Sequence, residues 1–277
     1  AHAKLRPVDF ATEGVFLCGL AHGPKTIKES ISQAYAAVSR ACTLLSKETI
    51  EAVGIVATVN EDRCIACANC EIVCEYNAIQ VTKAYAEVNP LLCKGCGTCA
   101  VECPALAITM QHFTDDQVSA MITAALEPIS HLEEPRALAL FCNWCAYAGA
   151  DLAGVSRFQY PPNVRIVRVM CTGRIDEKYI LQALLQGADG VLIGGCHIGD
   201  CHYTSGNLQA EERVQRVRLW LKEAGIDPTR LRLEWISAGE GKKLADVMTD
   251  FTQQLEKLGP SPLRPLSTTT PSSLHTE

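Results

Sequence analysis

Short apolar runs alternate with longer amphipathic stretches through the second half of the chain. The runs ALALF, VRIVRVM, GVLIGG and LRLEWI are rich in Val, Ile and Leu, which is typical of buried strands. The stretches DEKYILQALLQG and LQAEERVQRVRLWLKEAG lie between them, and each ends at a glycine suited to a helix C-terminus. This alternation predicts a parallel, doubly wound α/β domain over residues 136–258.

The first 50 residues contain fewer elements. A strand is predicted from Gly14 to Leu20, followed by a Gly/Pro turn and by a helix that opens with a capping box of Thr26 and Glu29. One strand and one helix cannot enclose a stable core. We therefore expect residues 1–50 to complete a domain that another chain or a longer parent polypeptide supplies.

Residues 58–112 contain an internal repeat. CIACANCEIVCEYNAIQV and CKGCGTCAVECPALAITM have the same cysteine spacing, which predicts two copies of a cysteine loop, a short helix and a short strand. Thr114 is expected to open a helix to about Leu126, so residues 113–135 are interpreted as helix and linker. The Pro/Ser/Thr-rich tail, residues 259–277, is expected to be disordered.

The number and clustering of the cysteines indicate the class of function. The 277 residues include fifteen cysteines in short clusters, without a recognisable export signal, which favours metal or cluster binding in a reducing compartment over disulfides. A net charge of −6 provides no basic field for nucleic acid. No apolar run approaches the ~20 residues that span a bilayer. We expect a cytoplasmic protein without a nucleic-acid partner or a membrane span.

The repeated motif is C-x2-C-x2-C-x3-C, and Pro104 follows its second copy. Three cysteines at this spacing bind one [4Fe–4S] cluster, and the fourth reaches the neighbouring cluster. Zinc is disfavoured, because eight cysteines exceed the four ligands that it needs. The segment resembles bacterial two-cluster ferredoxins, with Glu75 where proline is usual. The predicted ligand sets are Cys64, Cys67, Cys70 and Cys103 for one cluster, and Cys93, Cys96, Cys99 and Cys74 for the other.

Five further cysteines follow three of the predicted strands: Cys142, Cys145, Cys171, Cys196 and Cys201. Because the carboxyl ends of parallel strands share one sheet edge, these cysteines should converge there. Four thiolates suffice for a [2Fe–2S] cluster, and the sequence does not identify the fifth, spare thiol. A structural zinc, or a Cys142–Cys145 dithiol beside a three-cysteine site, are alternatives.

Other residues near these cysteines have less specific interpretations. His197 and His202 are expected in outer-shell or capping positions. Arg174 either offsets the negative charge of a cluster or is a solvated surface residue. Cys18 and Cys42 are expected to be buried, inert thiols. The segment SAGEGKKL does not match a phosphate-binding loop, so the domain is interpreted as a cluster holder.

Three separated motifs, FCNWCAYAGAD, VMCTGRID and GGCHIGDCHY, resemble the delta subunit of methyl-viologen-reducing hydrogenase across roughly residues 136–256. The resemblance implies a [2Fe–2S] cluster among the five cysteines. It also implies a link between a hydrogenase or formate dehydrogenase and heterodisulfide reductase.

Residues 5–110, including TEGVFLCGLAHGPKTIKESISQAYAAVSRA, resemble the carboxyl end of the heterodisulfide reductase flavoprotein (A) subunit. The resemblance implies that the first segment closes an FAD-binding domain, most of which a partner flavoprotein subunit would carry. Related flavoproteins have Gly-Asp after this strand, where this chain has Gly19-Leu20. FAD at the interface with that partner could contact the helix amino end, through Gly19, Gly23, Lys25 and Thr26, and packing without cofactor contact is the alternative.

Together these features predict an iron–sulfur electron-transfer subunit that is not catalytic alone. It would relay electrons between a hydrogenase- or formate dehydrogenase-type partner and a flavin, in a heterodisulfide reductase-like bifurcating or confurcating complex. A quinone- or sulfur-linked respiratory complex and a cluster-based redox sensor are the alternative functions.

Overall fold

The computed structural model describes residues 7–10, 14–49, 54–127 and 135–264. The chain divides into two compact units, Ala1–Val53 and Gly54–Glu277. The second unit contains both the cysteine-rich repeat and the predicted α/β domain.

The first unit contains one long helix, α1 (Ile27–Leu45), which starts at the predicted capping box of Thr26 and Glu29. The predicted strand over residues 14–20 is wrong. The described residues there form only an isolated bridge between Asp9 and Phe16 and a 3-10 helix, Gly19–Ala21. A strand needs a neighbouring strand to continue its hydrogen bonds, and the described part of this unit offers only that short pairing.

Helix α1 presents an apolar stripe that is exposed. None of its residues is buried. Cys18 and Cys42 are also exposed, so the expectation of buried thiols is wrong. The exposed stripe consists of Ile27, Ile31, Tyr35, Val38 and Leu45, at 53–82% exposure.

The second unit begins with the cysteine-rich domain, which has the predicted repeat of a cysteine loop, a short helix and a short strand. Its first and last strands, β1 (Ala57–Val59) and β4 (Ile108–Met110), pair antiparallel. Between them, β2 (Ile79–Val81) pairs antiparallel with β3 (Ala86–Val88). The two short helices are α2 (Asn69–Ile72) and α3 (Thr98–Val101).

The α/β domain is built on four parallel strands, as predicted. They are β5 (Ala137–Cys142), β6 (Val164–Val169), β7 (Gly190–Gly195) and β8 (Leu231–Trp235), in the order β6-β5-β7-β8. The chain winds outward in one direction from β5 to β6 and in the other from β7 to β8. The reversal therefore lies between β5 and β7, and in such sheets the carboxyl ends at that point form a crevice where ligands bind.

Helices cover both faces of this sheet. The first face carries α4 (Asp115–Leu126), α6 (Glu177–Leu185) and α7 (Gly206–Glu223), whose apolar residues share one core. The second face carries α5 (Ala146–Val155) and α8 (Gly241–Leu258), which share another. Helices α5 and α8 are not among the predicted elements. The alanines and glycines of α5 form no clear apolar stripe, whereas the spacing of Leu244, Met248 and Phe251 is a signal that could have identified α8.

Helix α4 begins at a capping box of Thr114 and Gln117 and ends at Leu126, as predicted, and its buried face belongs to the α/β core. One boundary differs from expectation. Residues 259–264 are packed rather than disordered, because the backbone N–H of Ser261 donates to Asp189 at 2.7 Å. Residues 265–277 and most of HLEEP lie outside the described residues.

No helix in the described ranges is both long enough and apolar enough to cross a membrane.

Candidate iron–sulfur sites

Two cavities in the cysteine-rich domain each bring four cysteines together. The first cavity is lined by Cys64, Cys67, Cys70 and Cys103 together with aliphatic side chains. The second cavity is lined by Cys74, Cys93, Cys96 and Cys99 together with other side chains. The fourth cysteine of each motif thus lines the cavity of the other motif, which is the exchange that the spacing predicts.

The loops aim backbone N–H groups at the sulfurs of these cavities. Ala78 donates to the Sγ of Cys74 at 3.3 Å, and Ala107 occupies the corresponding place with Cys103, also at 3.3 Å. Hydrogen bonds of this kind stabilise a thiolate. These bonds favour the thiolate form of Cys74 and Cys103, which is the form that binds a metal cluster.

Backbone geometry tightens the loop of the second cavity. Gly97 has φ of 81°, in the left-handed region that favours glycine, and α3 begins directly after it. Burial raises the pKa of the Cys99 thiol well above its usual value. Binding of a metal cluster deprotonates such thiols and therefore releases protons.

The eight cysteines of this domain are arranged in two sets of four, which suits clusters better than single metal ions. In the part of the chain that the structure describes, no three His, Cys, Asp or Glu side chains are grouped to hold one ion. A cubane distributes four thiolates over four irons and therefore suits wider, four-cysteine cavities. The four cysteines in the lining of each cavity fit a [4Fe–4S] cluster.

The five cysteines of the α/β domain converge at the carboxyl edge of the sheet; we name them the delta-edge cysteines: Cys142, Cys145, Cys171, Cys196 and Cys201. The Sγ atoms of Cys142 and Cys196 are 3.8 Å apart, across the reversal point between β5 and β7. Cys196 also hydrogen-bonds to Cys145 and Cys201, and Cys201 bonds to Cys171, so all five thiols form one connected group.

Hydrogen bonds among these thiols shift their pKa values in opposite directions. Hydrogen bonds with Cys145 and then Cys196 lower the pKa of Cys142 to about 3. A hydrogen bond with Cys171 is the main cause that lowers the pKa of Cys201 to about 2. The pKa of Cys196 is raised, chiefly by its hydrogen bond with Cys142. Hydrogen bonding within the group therefore favours the thiolate form of Cys142 and Cys201, which is the form that binds metal.

Two histidines flank this group, and each has a contact with another side chain. The Nε2 atom of His197 lies 2.7 Å from Glu240 Oε2, and the backbone of Ser237 donates to the same oxygen. The Ser237 and His197 hydrogen bonds lower the pKa of Glu240 to about 2. His202 stacks on Trp144, with ring centroids 3.9 Å apart. Both imidazoles thus have contacts other than sulfur, as expected for outer positions.

The loops around the second cavity pack against the loops that carry the delta-edge cysteines. Tyr76, which lines that cavity, shares a hydrogen bond with Thr204 of the α/β domain. The loops are so close that a methyl group on Gly173 would lie 2.5 Å from the Oγ1 of Thr98. Local sequence patterns do not indicate this contact, because it depends on how two sequence-distant loops pack.

Arg174 lies between the two sites and is only 1% exposed, so its interpretation as a solvated surface residue is wrong. The loop holding Cys171 turns as a 3-10 helix, Thr172–Arg174, which carries the arginine into the interior.

The FAD-contact candidates occupy the turn before α1. The Nζ of Lys25 donates to the carbonyl oxygens of Gly19 at 3.0 Å and Gly23 at 3.1 Å. The hydroxyl of Thr26 accepts from the backbone of Glu29 as the helix cap. The four residues therefore form one compact turn at the amino end of the helix.

Comparison with known proteins agrees with both cysteine systems. Residues 137–259 match the family described as methyl-viologen-reducing hydrogenase, delta subunit. Residues 57–80 and 86–109 each match the 4Fe–4S binding domain.

Two kinds of relatives are similar to the chain. The A subunit of the ferredoxin:CoB-CoM heterodisulfide reductase of Methanosarcina mazei is 47% identical over 260 residues, covering 94% of this chain and 32% of the relative. The iron–sulfur D subunit of the F420-non-reducing hydrogenase of Archaeoglobus profundus is 53% identical over 127 residues, covering 46% of this chain and 93% of the relative. The corresponding protein of Methanocaldococcus jannaschii is 45% identical over 131 residues, covering 47% and 98%.

The chain spans about a third of the length of the heterodisulfide reductase relatives. Its α/β domain corresponds to nearly the whole of a hydrogenase iron–sulfur D subunit. The chain therefore belongs to the hydrogenase delta-subunit family, is homologous to the carboxyl-terminal region of the heterodisulfide reductase A subunit, and is an iron–sulfur electron-transfer protein with two [4Fe–4S] sites.

Proposed function

We propose that this chain relays single electrons between a hydrogenase- or formate dehydrogenase-type partner and a flavin held by a partner flavoprotein subunit. The complex would be a cytoplasmic, heterodisulfide reductase-like assembly that performs flavin-based bifurcation or confurcation. The observation that carries the proposal is the packing of the loops around the second cavity against the loops that carry the delta-edge cysteines.

The delta-edge cysteines would hold a [2Fe–2S] cluster with four of their five thiolates. The cysteines of the first and second cavities would hold one [4Fe–4S] cluster each, in the ligand sets that line them. When bound, these clusters supply reversible one-electron chemistry. The protein holds the thiolates, donates backbone hydrogen bonds to them and keeps much of the surrounding space apolar.

The order of the three cysteine sites along the proposed electron path follows from which sites are adjacent. The delta-edge cysteines adjoin the second cavity, and the exchanged ligands Cys74 and Cys103 make the first cavity its immediate neighbour. The proposed path therefore runs between the delta-edge site, the second cavity and the first cavity. The same path serves either direction of electron flow.

The exposure of helix α1 supports the proposal of a flavoprotein partner, or of a flavoprotein domain in a longer parent chain. A 19-residue helix without a buried residue leaves its apolar stripe for another surface to cover. Gly19, Gly23, Lys25 and Thr26 would then lie where a positive helix end can approach an anionic part of FAD.

A respiratory complex without bifurcation is the second candidate, and a redox sensor is the third. The relatives named as hydrogenase and heterodisulfide reductase subunits favour an enzyme complex over a sensor. The proteins that copurify with the chain from its native cells distinguish these functions. A flavoprotein together with a hydrogenase or formate dehydrogenase supports the proposal, whereas a quinone-linked partner supports the respiratory alternative.

Iron and sulfide analysis of anaerobically purified chain tests the cofactors. We expect about ten irons per chain, from two [4Fe–4S] clusters and one [2Fe–2S] cluster. Replacing Cys196 with serine should remove about two of these irons. Replacing the exposed Cys42 should remove none, which makes it the matched control. About eight irons and one zinc in the unaltered chain would contradict the [2Fe–2S] assignment.

A further inference from the structure

Arg174 carries a buried charge whose hydrogen bonds are incomplete. Its side chain is 2% exposed, and among the described residues its Nε and Nη1 atoms have no hydrogen-bond partner. Leaving a buried donor unsatisfied costs roughly 1–3 kcal/mol, and more for a charged group. Such a group therefore indicates an interaction with something that the protein atoms alone do not supply.

The position of Arg174 links it to both cysteine systems. Its backbone N–H donates to the carbonyl oxygen of Cys171 at 3.0 Å. Its side-chain stem packs on the loop of the second cavity, where a methyl group on Gly97 would lie 2.5 Å from the Arg174 Cδ. The unpaired Nε is bonded to that same carbon. Gly97 lies between Cys96 and Cys99, so the arginine stem and the Nε bonded to it lie against the loop that carries two cysteines of the second cavity.

The opposite end of the guanidinium is anchored. Its Nη2 donates to the carbonyl oxygen of Phe113 at 3.3 Å and to the carboxylate of Asp115. Asp115 also accepts from Lys178 at 2.5 Å and from Tyr179 at 2.6 Å. Burial would raise the pKa of Asp115, but these hydrogen bonds outweigh it and lower the pKa to about 2. Asp115 is thus a charged anchor that holds the arginine by one end only.

Arg213 is a structural arginine at the boundary between the cysteine-rich domain and the α/β domain, and it serves as a comparison. It is also 1% exposed. Its Nη1 donates to Gly173 O at 2.8 Å and Ile175 O at 3.3 Å, and its Nη2 donates to Glu102 at 2.5 Å. Its charge is paired, and none of its nitrogens is among the unsatisfied buried atoms of the described residues. Arg174 differs in having unpaired donors beside a cysteine loop.

We propose that the charge of Arg174 raises the reduction potential of the cluster held by Cys74, Cys93, Cys96 and Cys99. The inference rests on the proposed function, in that the second cavity must hold a [4Fe–4S] cluster. Reduction adds one electron, and hence one negative charge, to a thiolate-bound cluster. A fixed cation in a water-poor site stabilises the reduced form more than the oxidised form. Arg174 therefore favours transfer of an electron from the delta-edge site onto the second cavity.

The test is an anaerobic redox titration of the full chain, followed by electron paramagnetic resonance, with a chemical reductant as the electron source. Arg174→Met keeps the volume of the stem and removes the charge. We expect its one-electron reduction equilibrium to shift at least tenfold toward the oxidised form, which is a fall of about 59 mV in the midpoint potential. Arg174→Lys, which retains a charge, should recover part of the shift.

Asp115→Asn should shift the reduction potential of this cluster in the opposite direction. It keeps an oxygen that can accept from Arg174 and removes the compensating negative charge. We expect the potential of the same cluster to rise, by less than it falls in Arg174→Met, because Asp115 is 42% exposed. A Cys67→Ser background, which alters the cluster of the first cavity, identifies the signal that belongs to the second.

Arg230→Met is the matched control for loss of a buried arginine. Arg230 is 4% exposed and has an unsatisfied Nε, but it bonds to Asp189 O at the amino edge of the sheet, away from the cysteines. Its replacement should leave all cluster potentials unchanged. A shift in Arg230→Met equal to that in Arg174→Met would overturn the inference.

Iron content separates the two proposals. Too little iron in the unaltered chain to fill both cavities contradicts the proposed function itself. Full iron content with unchanged potentials in Arg174→Met and Asp115→Asn contradicts only the assignment of Arg174. If Arg174→Met loses iron on purification, Asp115→Asn decides, and an unchanged or lowered potential there overturns the inference.

Discussion

Gly206 begins helix α7 beside the delta-edge cysteines, where there is no room for a side chain. A methyl group on its Cα would lie 2.1 Å from the Sγ of Cys171 and 3.6 Å from that of Cys201. Contacts below 3.0 Å require atoms to move, and here the atom that must move is a cluster-ligand candidate. At the scale of single residues, the site therefore depends on small neighbours as well as on the cysteines.

Gly206→Ala should displace Cys171 and lower the iron content by about two atoms per chain, because a [2Fe–2S] cluster contains two irons. Iron analysis and visible absorption of anaerobically purified protein provide the measurement. Gly154→Ala is the control, since a methyl group there would have no atom within 4 Å. A Gly206→Ala variant with the iron content of the unaltered chain would show that Cys171 is not a ligand.

Two arginines on α7 allow a matched test of burial. Arg213 bonds Glu102 of the cysteine-rich domain and is 2% exposed at its side chain, whereas Arg216 pairs with Glu177 and is 50% exposed. Arg213→Met should lower the free energy of unfolding by about 2–3 kcal/mol, because it leaves buried carbonyl oxygens and a partly buried carboxylate unpaired. Arg216→Met should cost less than about 1 kcal/mol. Chemical denaturation of both variants, with iron retained, compares them, and equal losses would contradict this ranking.

At the scale of elements, local patterns predicted most of the fold. The capping box of α1, the start of α4 after Thr114, the four parallel strands and the repeated cysteine motif depend on neighbouring residues, and all appear as expected. Convergence of the delta-edge cysteines followed from the geometry of parallel sheets. The burial of Arg174 could not be predicted, because it requires the loop around Gly97 to pack against it from more than 70 residues away. The strand over residues 14–20 failed because no neighbouring strand continues it in the described part of its unit.

Helix α1 should be required for assembly and not for cluster binding. Ile31→Glu places a charge in its exposed apolar stripe, and we expect copurification with the flavoprotein partner to fall at least tenfold while iron content is unchanged. Burying an uncompensated carboxylate at an interface explains the loss. Thr43→Glu, on another side of the helix, is the control. Unchanged copurification of Ile31→Glu would argue against α1 as the contact surface.

At the scale of the whole second unit, the cysteine-rich domain and the α/β domain form one packed body. Helix α4 follows β4 directly and joins the α/β core, and Tyr76, Arg174 and Arg213 connect the two domains. The same connected region contains the delta-edge cysteines and the second cavity. This packing holds two cysteine systems at a fixed separation, which a relay of single electrons needs.

Electron paramagnetic resonance of the fully reduced chain is the decisive test of this arrangement, because neighbouring paramagnetic clusters alter each other's signals. We predict a binuclear signal from the delta-edge cysteines that is broadened by the reduced cluster of the second cavity. The broadening should decrease in Cys99→Ser and persist in Cys67→Ser. A binuclear signal that is indifferent to the second cavity, or a complete absence of one in iron-replete protein, would contradict the proposed relay.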